Sequence, residues 1–167
     1  MTTLHISEMG FPPYATNHCT QTLEAIPQGP FVRTLDGRLV FIGTETNHKY
    51  KSLIQGEDIN TPTLSMLTCG QEVIVQCMQP LWQEATTNPV ILMRPTTPNN
   101  FSAVDTQGEM VPITMETAQN LRLEGDPIPF PVFIRYYPVL KMLVQAFSLE
   151  GGQENYPTKW RLELEEV

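Results

Sequence analysis

Alternating apolar and polar residues recur along the chain and predict short strands. The last strand has the clearest pattern, because Trp160, Leu162 and Leu164 fall on one side of residues 160–167 and charged side chains fall on the other. A period of two residues is typical of a strand with one buried and one solvated face. Similar patterns predict further strands, over 71–78, 90–93, 132–137 and 141–150.

The strand predicted for 141–150 is the longest of these. Regular alternation along it places Val144 on one face and Phe147 on the other. We therefore expect alternate side chains to point to the same face from the first residue of this strand to the last.

Turn residues join neighbouring strands into hairpins. The pair Asp36-Gly37 supplies the two positive φ angles of a type I′ turn, which predicts a two-residue loop between arms 31–35 and 38–42. A second hairpin is predicted around a longer loop, Thr106-Gln107-Gly108.

Helices are predicted to be few and short. Thr61-Pro62 is typical of a helix start, with a hydroxyl N-cap and proline at the first helical position, but Gly70 limits the length. The pattern over 114–123 fits a helix and a loop equally well.

Composition points to the same fold class. The 15 prolines among 167 residues cut the chain into short elements, and the length suits one domain. We expect a mainly β fold, an antiparallel β-sandwich or barrel with one or two short helices. The expected organisation is an irregular N-terminal arm over 1–30 and a single β domain over 31–167, in which the proline-rich stretch 126–131 is an extended linker.

The N-terminal stretch leaves two interpretations open. Residues 11–14 (FPPY) are expected to be extended, because a residue that precedes proline avoids the helical region. The stretch is either an arm that docks on another subunit or a coil that wraps over its own domain.

Charge excludes some partners. The net charge is −8 and the sequence pI is about 4.8, so the surface repels nucleic-acid phosphates and anionic membranes. No apolar run approaches the roughly 18 residues that span a bilayer, and we expect no secretory signal at the N-terminus. Three cysteines suit a protein made in a reducing compartment.

Sequence motifs for catalysis or metal binding are weak. His18 and Cys19 are adjacent, and Cys69 and Cys77 are eight residues apart, which does not match the closely spaced pairs of zinc sites. There is no GxSxG elbow, and Gly151-Gly152 does not precede a helix as a phosphate-binding loop does. We therefore expect no catalytic residues, no metal site and no cofactor.

Three segments carry a resemblance to a known class of proteins. They are residues 49–64 (KYKSLIQGEDINTPTL), 70–83 (GQEVIVQCMQPLWQ) and 159–167 (KWRLELEEV), about a quarter of the chain. These segments resemble small tail-tube and baseplate ring proteins of contractile-tailed bacteriophages.

The resemblance implies a structural role. The chain would form an axial ring with copies of itself, at the tail tube or the tube–baseplate junction, beside other tube or baseplate proteins. It would reside in the virion tail after assembly in the host cytoplasm. From the net charge of −8 we add the hypothesis that part of the acidic charge lines the lumen. Phe11, Tyr14, and either Tyr136 or Tyr137 are the expected subunit contacts. The alternative function is a β-barrel or sandwich module that binds a small molecule in an apolar cavity.

Overall fold

Strands make up most of the computed structural model, which describes residues 4–12, 15, 18–27, 29–43, 48–151 and 157–167. The mainly β class predicted from the sequence is confirmed, and all strand pairs described below are antiparallel. The predicted helix at Thr61-Pro62 is a single 3₁₀ turn, Leu64–Met66. In chain order the described strands are β1 (His5–Ile6), β2 (Thr20–Ile26), β3 (Phe31–Arg33), β4 (Leu39–Phe41), β5 (Lys49–Asp58), β6 (Glu72–Gln76), β7 (Leu81–Ala85), β8 (Val90–Ile91), β9 (Thr96–Val104), β10 (Met110–Val111), β11 (Ile113–Met115), β12 (Asn120–Leu123), β13 (Val132–Glu150) and β14 (Thr158–Glu166).

Contacts divide the chain into two compact units, where the sequence predicts one domain over 31–167. Unit 1 comprises Met1–Ser7 and Ile74–Lys141, and unit 2 comprises Glu8–Val73 and Met142–Val167. The 19-residue strand β13 contributes its first part to unit 1 and its second part to unit 2.

The N-terminal stretch predicted to be irregular contains two strands. In unit 1, Ile6 of β1 pairs with Val75 of β6 and is buried. In unit 2, β2 pairs with β5 over seven residues. These pairings match the second interpretation of residues 1–30, in which the described part of this stretch packs on its own chain.

Unit 1 is built around the first part of β13. Ile134 pairs with Gln83 of β7 on one side and with Ala103 of β9 on the other, and β10 continues the sheet beyond β9. A second sheet has the order β11-β12-β8, so 114–123 is largely a hairpin rather than a helix. The core of the unit consists of Ala85, Val90, Leu92, Ala103, Val111, Leu121, Leu123, Val132, Ile134 and Tyr136.

Two side-chain amides replace missing strand neighbours in unit 1. The Asn88 amide bonds the backbone of Leu123 twice, through Nδ2 to the carbonyl (2.9 Å) and through Oδ1 to the N–H (3.0 Å). The Gln83 amide likewise donates to the Ile91 carbonyl (2.8 Å) and accepts from the Met93 N–H (3.0 Å). Backbone groups that end a ladder are satisfied in this way without another strand.

Unit 2 is built on a sheet with the order β13-β14-β5-β2. The alternation predicted for β14 is confirmed, because Trp160, Leu162 and Leu164 are buried while Lys159 and Arg161 are exposed. The buried apolar residues of this unit are Met9, Ala15, Ile54, Leu64, Leu67, Val73, Met142, Val144, Trp160, Leu162 and Leu164.

A β-bulge interrupts the alternation predicted for 141–150. Val144 pairs with Leu164 and Ala146 pairs with Glu163, so two steps along β13 match one step along β14. Phe147 consequently lies opposite Leu162, on the same face as Val144, and the prediction of opposite faces is wrong. An extra residue in one strand shifts every later side chain to the other face.

Candidate functional site

The hairpin β3–β4 is a two-stranded sheet in unit 2 that pairs with no third strand among the described residues. Its loop has three residues, because the Thr34 N–H donates a hydrogen bond to the Arg38 carbonyl (2.9 Å) and so closes the loop between them. Within the loop, Gly37 takes a φ of +83°. The predicted type I′ turn is wrong, since Asp36 has no positive φ. Its carboxylate instead accepts a hydrogen bond from the Thr34 hydroxyl.

The longer loop moves the strand register by one residue. Phe31 now pairs with Phe41, and their ring centroids are 5.0 Å apart. The facing strands therefore place Phe31, Phe41 and Leu39 on one face, and Val32 and Val40 on the other.

Apolar side chains of the hairpin are exposed on both faces. Phe31 is 59% exposed and Leu39 is 58% exposed, while Val32 and Val40 are each 42% exposed. Leu35 at the tip is fully exposed. Exposed apolar side chains grouped on one small element are typical of an interaction site. We call residues 29–43 the apolar hairpin.

A second apolar surface of unit 2 lies at the end of β13. Past the bulge, Phe147 and Leu149 are on the apolar face of the sheet but remain 37% and 51% exposed. The backbone of Val144 bonds Gly70 and Gln71 on the side away from β14. Beyond Val144, no described strand pairs with that side of β13. We call residues 145–150 the open edge.

A polar cleft of about 430 Å³ is also present in unit 2. Lys159 of β14 is in register with Glu57 of β5 and Glu150 of β13, so opposite charges adjoin on this surface. Ser148 and His18 both line the cleft, but the described contacts include no hydrogen bond between them. No nucleophile–base pair is therefore described in the cleft.

Charged side chains next to the cleft form a small network. Glu163 accepts from Arg161 at 2.8 Å and pairs with Lys51 at 3.3 Å. The Lys51 hydrogen bond, followed by the charge of Arg161, holds the pKa of Glu163 below its usual value. This network ties β14 to β5 and fixes the solvated face of the sheet.

The candidate residues chosen from the sequence have different environments. Phe11 is half-buried, and Tyr14 lies outside the described residues. Tyr136 is 2% exposed and belongs to the core of unit 1. Tyr137 is half-buried on the opposite face, where its hydroxyl accepts a hydrogen bond from Arg135 (2.8 Å) and its ring lies under the same guanidinium. Of the two tyrosines, Tyr137 is the one still available for a subunit contact.

Sequence reasoning missed the apolar hairpin and the open edge as candidate sites. The signal for the hairpin was present, because apolar residues stand at consecutive positions over 39–42 (LVFI) instead of alternating. The sequence contains no signal for the open edge, because its exposure depends on the bulge in β13 and on the point at which β6 begins, next to Val144.

Two further observations concern chemistry and membranes. Burial, followed by the charge of Asp58, raises the pKa of the Cys19 thiol to about 11, so this thiol stays protonated at neutral pH. The described residues contain no group of three or more His, Cys, Asp or Glu side chains placed to hold a metal ion. They also include no helix that is long and apolar enough to cross a membrane.

Comparison of the sequence with family models and curated proteins gives no match.

Proposed function

We propose that this chain is a non-enzymatic structural subunit of a bacteriophage tail, which forms an axial ring at the tail tube or the tube–baseplate junction. The observation that carries this proposal is the apolar hairpin. An isolated two-stranded hairpin is at best marginally stable in water. One with exposed apolar side chains on both faces needs cover from another molecule.

The area available at the hairpin fits a subunit contact. Seven apolar residues contribute, namely Phe31, Val32, Leu35, Leu39, Val40, Phe41 and Ile42. Their exposed side chains amount to roughly several hundred Å², a large share of the roughly 800 Å² that each partner buries in a specific interface.

The tail assignment rests on the resemblance of three segments, and the fold is compatible with it. All three segments lie mostly in strands, and residues 159–167 correspond to the regular strand β14. The partners in this proposal are copies of the chain and other tube or baseplate proteins, and its location is the virion tail. An acidic lumen is part of the proposal and is supported by the net charge of −8.

The alternative, a small-molecule module, has weaker support. Its expected feature is an apolar cavity, whereas the polar cleft is lined mainly by charged and other polar side chains. An apolar hollow of about 490 Å³ does exist, but Phe31 and Phe41 of the exposed hairpin form part of its wall. This hollow is more consistent with a docking surface than with an enclosed ligand site.

The experiment is to purify the chain and follow its assembly with concentration, using native mass spectrometry and negative-stain electron microscopy. We expect closed rings with a central hole, and labelling of intact virions with an antibody against the chain should mark the tail. A monomer at all concentrations that retains a small molecule through purification would support the alternative instead. Labelling confined to the capsid would contradict the tail assignment.

A further inference from the structure

We infer that the apolar hairpin of one subunit docks on the open edge of β13 in a second copy of the same chain. This inference rests on the proposed function, because it names the surfaces through which the ring subunits meet. The contact is head-to-tail, since it joins two different surfaces of the chain, the hairpin of one subunit and the open edge of the next.

The hairpin is suited to be the donor because apolar side chains remain exposed on both of its faces. A strand whose two faces are both apolar is typical of an element buried on both sides. Val32 and Val40 lie on one face, whereas Phe31 and Leu39 lie on the other, and all four are exposed. Each strand also keeps one edge with no described partner, so the hairpin can extend a sheet.

The open edge is suited to be the acceptor because one side of its backbone has no described strand partner and two of its apolar side chains are exposed. It has six residues, which span roughly 20 Å as a strand, and thus exceeds the length of β3 or β4. Unpaired backbone groups along an exposed edge are a template for another strand. On one face of the open edge, the apolar side chains of Phe147 and Leu149 are exposed. A hollow of about 230 Å³, lined in part by Ala146 and Ser148, lies next to the edge.

The two surfaces are also complementary in charge. The apolar hairpin carries Arg33 and Arg38 against the single acid Asp36, so it is a positive segment of a chain with net charge −8. The open edge carries one acid, the exposed Glu150, and no basic residue of its own, while Lys159 lies opposite Glu150 on β14. Opposite charges at the two ends favour one orientation of the contact and oppose the pairing of two hairpins with each other.

A second copy is the occupant that the geometry favours over the same chain. The hairpin and the open edge belong to the same unit, yet both remain exposed there. Each subunit therefore holds one unused donor and one unused acceptor, an arrangement that generates a ring where the rotation between successive subunits closes.

Disulfide trapping between two differently labelled chains tests the inference. In a background in which Cys19 and Cys69 are replaced by serine, one chain carries Val40→Cys and the other Leu149→Cys. We expect a cross-linked heterodimer on mild oxidation, seen on a non-reducing gel and by intact mass. The matched control pairs Val40→Cys with Met110→Cys, an exposed apolar position of unit 1 outside the proposed contact.

Mixing experiments give a second readout that does not depend on cysteine chemistry. Leu149→Asp is expected to abolish assembly alone, and so is Val40→Asp, but each variant keeps one intact surface. An equimolar mixture of the two is expected to form heterodimers and no rings, because only one productive contact remains. Ile91→Asp, an exposed position of unit 1, should assemble like the parent chain.

The outcomes separate the inference from the proposed function. If rings form in the parent chain but neither cross-link nor assembly depends on these positions, the docking inference is overturned and the ring proposal stands. If the parent chain forms neither rings nor cross-links at any concentration, both are overturned. Circular dichroism of each variant confirms that lost assembly does not reflect lost folding.

Discussion

Strand β14 and the hairpin β3–β4 belong to the same unit but meet solvent in opposite ways. In β14 the apolar residues Trp160, Leu162 and Leu164 are all 2% exposed or less. In the hairpin, by contrast, Val32 and Phe31 lie on different faces and both are exposed. The chain buries the apolar residues of one element and leaves those of the other uncovered.

The difference follows from the spacing of the apolar residues. Alternation lets one sheet face enter the core while the other remains solvated, so a single chain can satisfy the strand. Consecutive apolar residues need cover on two sides, and in the hairpin Phe31, Leu39, Val32 and Val40 remain exposed. The comparison predicts that mutations in β14 affect folding, whereas mutations in the hairpin affect association.

Loss of the buried indole of β14 should have the largest effect. Trp160→Ala is expected to lower the free energy of unfolding by about 3–5 kcal/mol, because it leaves a large cavity. Trp160→Phe is the control, since it keeps most of the ring and removes an indole N–H that has no acceptor among the described residues. Urea unfolding monitored by circular dichroism measures both, and equal losses would contradict a packing role.

Adding one methyl group beneath the same ring should have the next largest effect. A Cβ at Gly56 would lie 2.8 Å from ring atoms of Trp160, the buried residue that pairs with Gly56 from β14. We expect Gly56→Ala to destabilise the protein by about 1–3 kcal/mol through overpacking. Gln55→Ala, at the neighbouring position on the other face, should change stability by less than about 0.5 kcal/mol.

A polar substitution in the hairpin should change stability little. For Leu39→Ser we expect a change of less than about 0.5 kcal/mol in the unfolding free energy of the dilute monomer, because Leu39 is already exposed. Leu162→Ser in β14 is the matched control and should cost several times more. Similar losses in the two variants would show that the hairpin is packed by its own chain.

The smallest expected effect concerns the solvated face of β14 and its pH dependence. The pKa of Glu163 is held below its ordinary value of 4.5, so the ionised form is favoured in the folded state. Its stabilising contribution is present above the ordinary pKa and is lost as the pH falls through the lowered pKa. Glu163→Gln should therefore be less stable than the parent chain at pH 7, and the difference should shrink as the pH falls below 4.5, as measured by urea unfolding. A difference that persists at acid pH would exclude this cause.

Much of the strand pattern was predictable because it depends on local periodicity. The strand predicted over 71–78 corresponds to β6, and the loop 106–108 of the second hairpin follows the sequence prediction. Gly108 has a φ of +84°, and Asp105 pairs with Glu109 across that loop. Turn residues and a period of two were sufficient there.

The first hairpin shows where local signals failed. Asp-Gly is compatible with a two-residue and with a three-residue loop, and the two differ by one residue in register. The side-chain contact between Thr34 and Asp36 accompanies the longer loop. A one-residue difference decides whether Phe31 faces Phe41 or Ile42, and the sequence pattern does not separate the two.

The sequence by itself determined the mainly β class, the positions of most strands and the burial pattern of β14, because each depends on residues close together in the chain. Tertiary structure decided the bulge at Gln145, the division into two units and the exposure of both the apolar hairpin and the open edge. These features depend on which strands pair with each other, and pairing joins segments that are far apart in the sequence, such as β5 and β14. An apolar residue in the sequence shows that its burial would be favourable. Whether its own chain buries it depends on how the other strands are arranged.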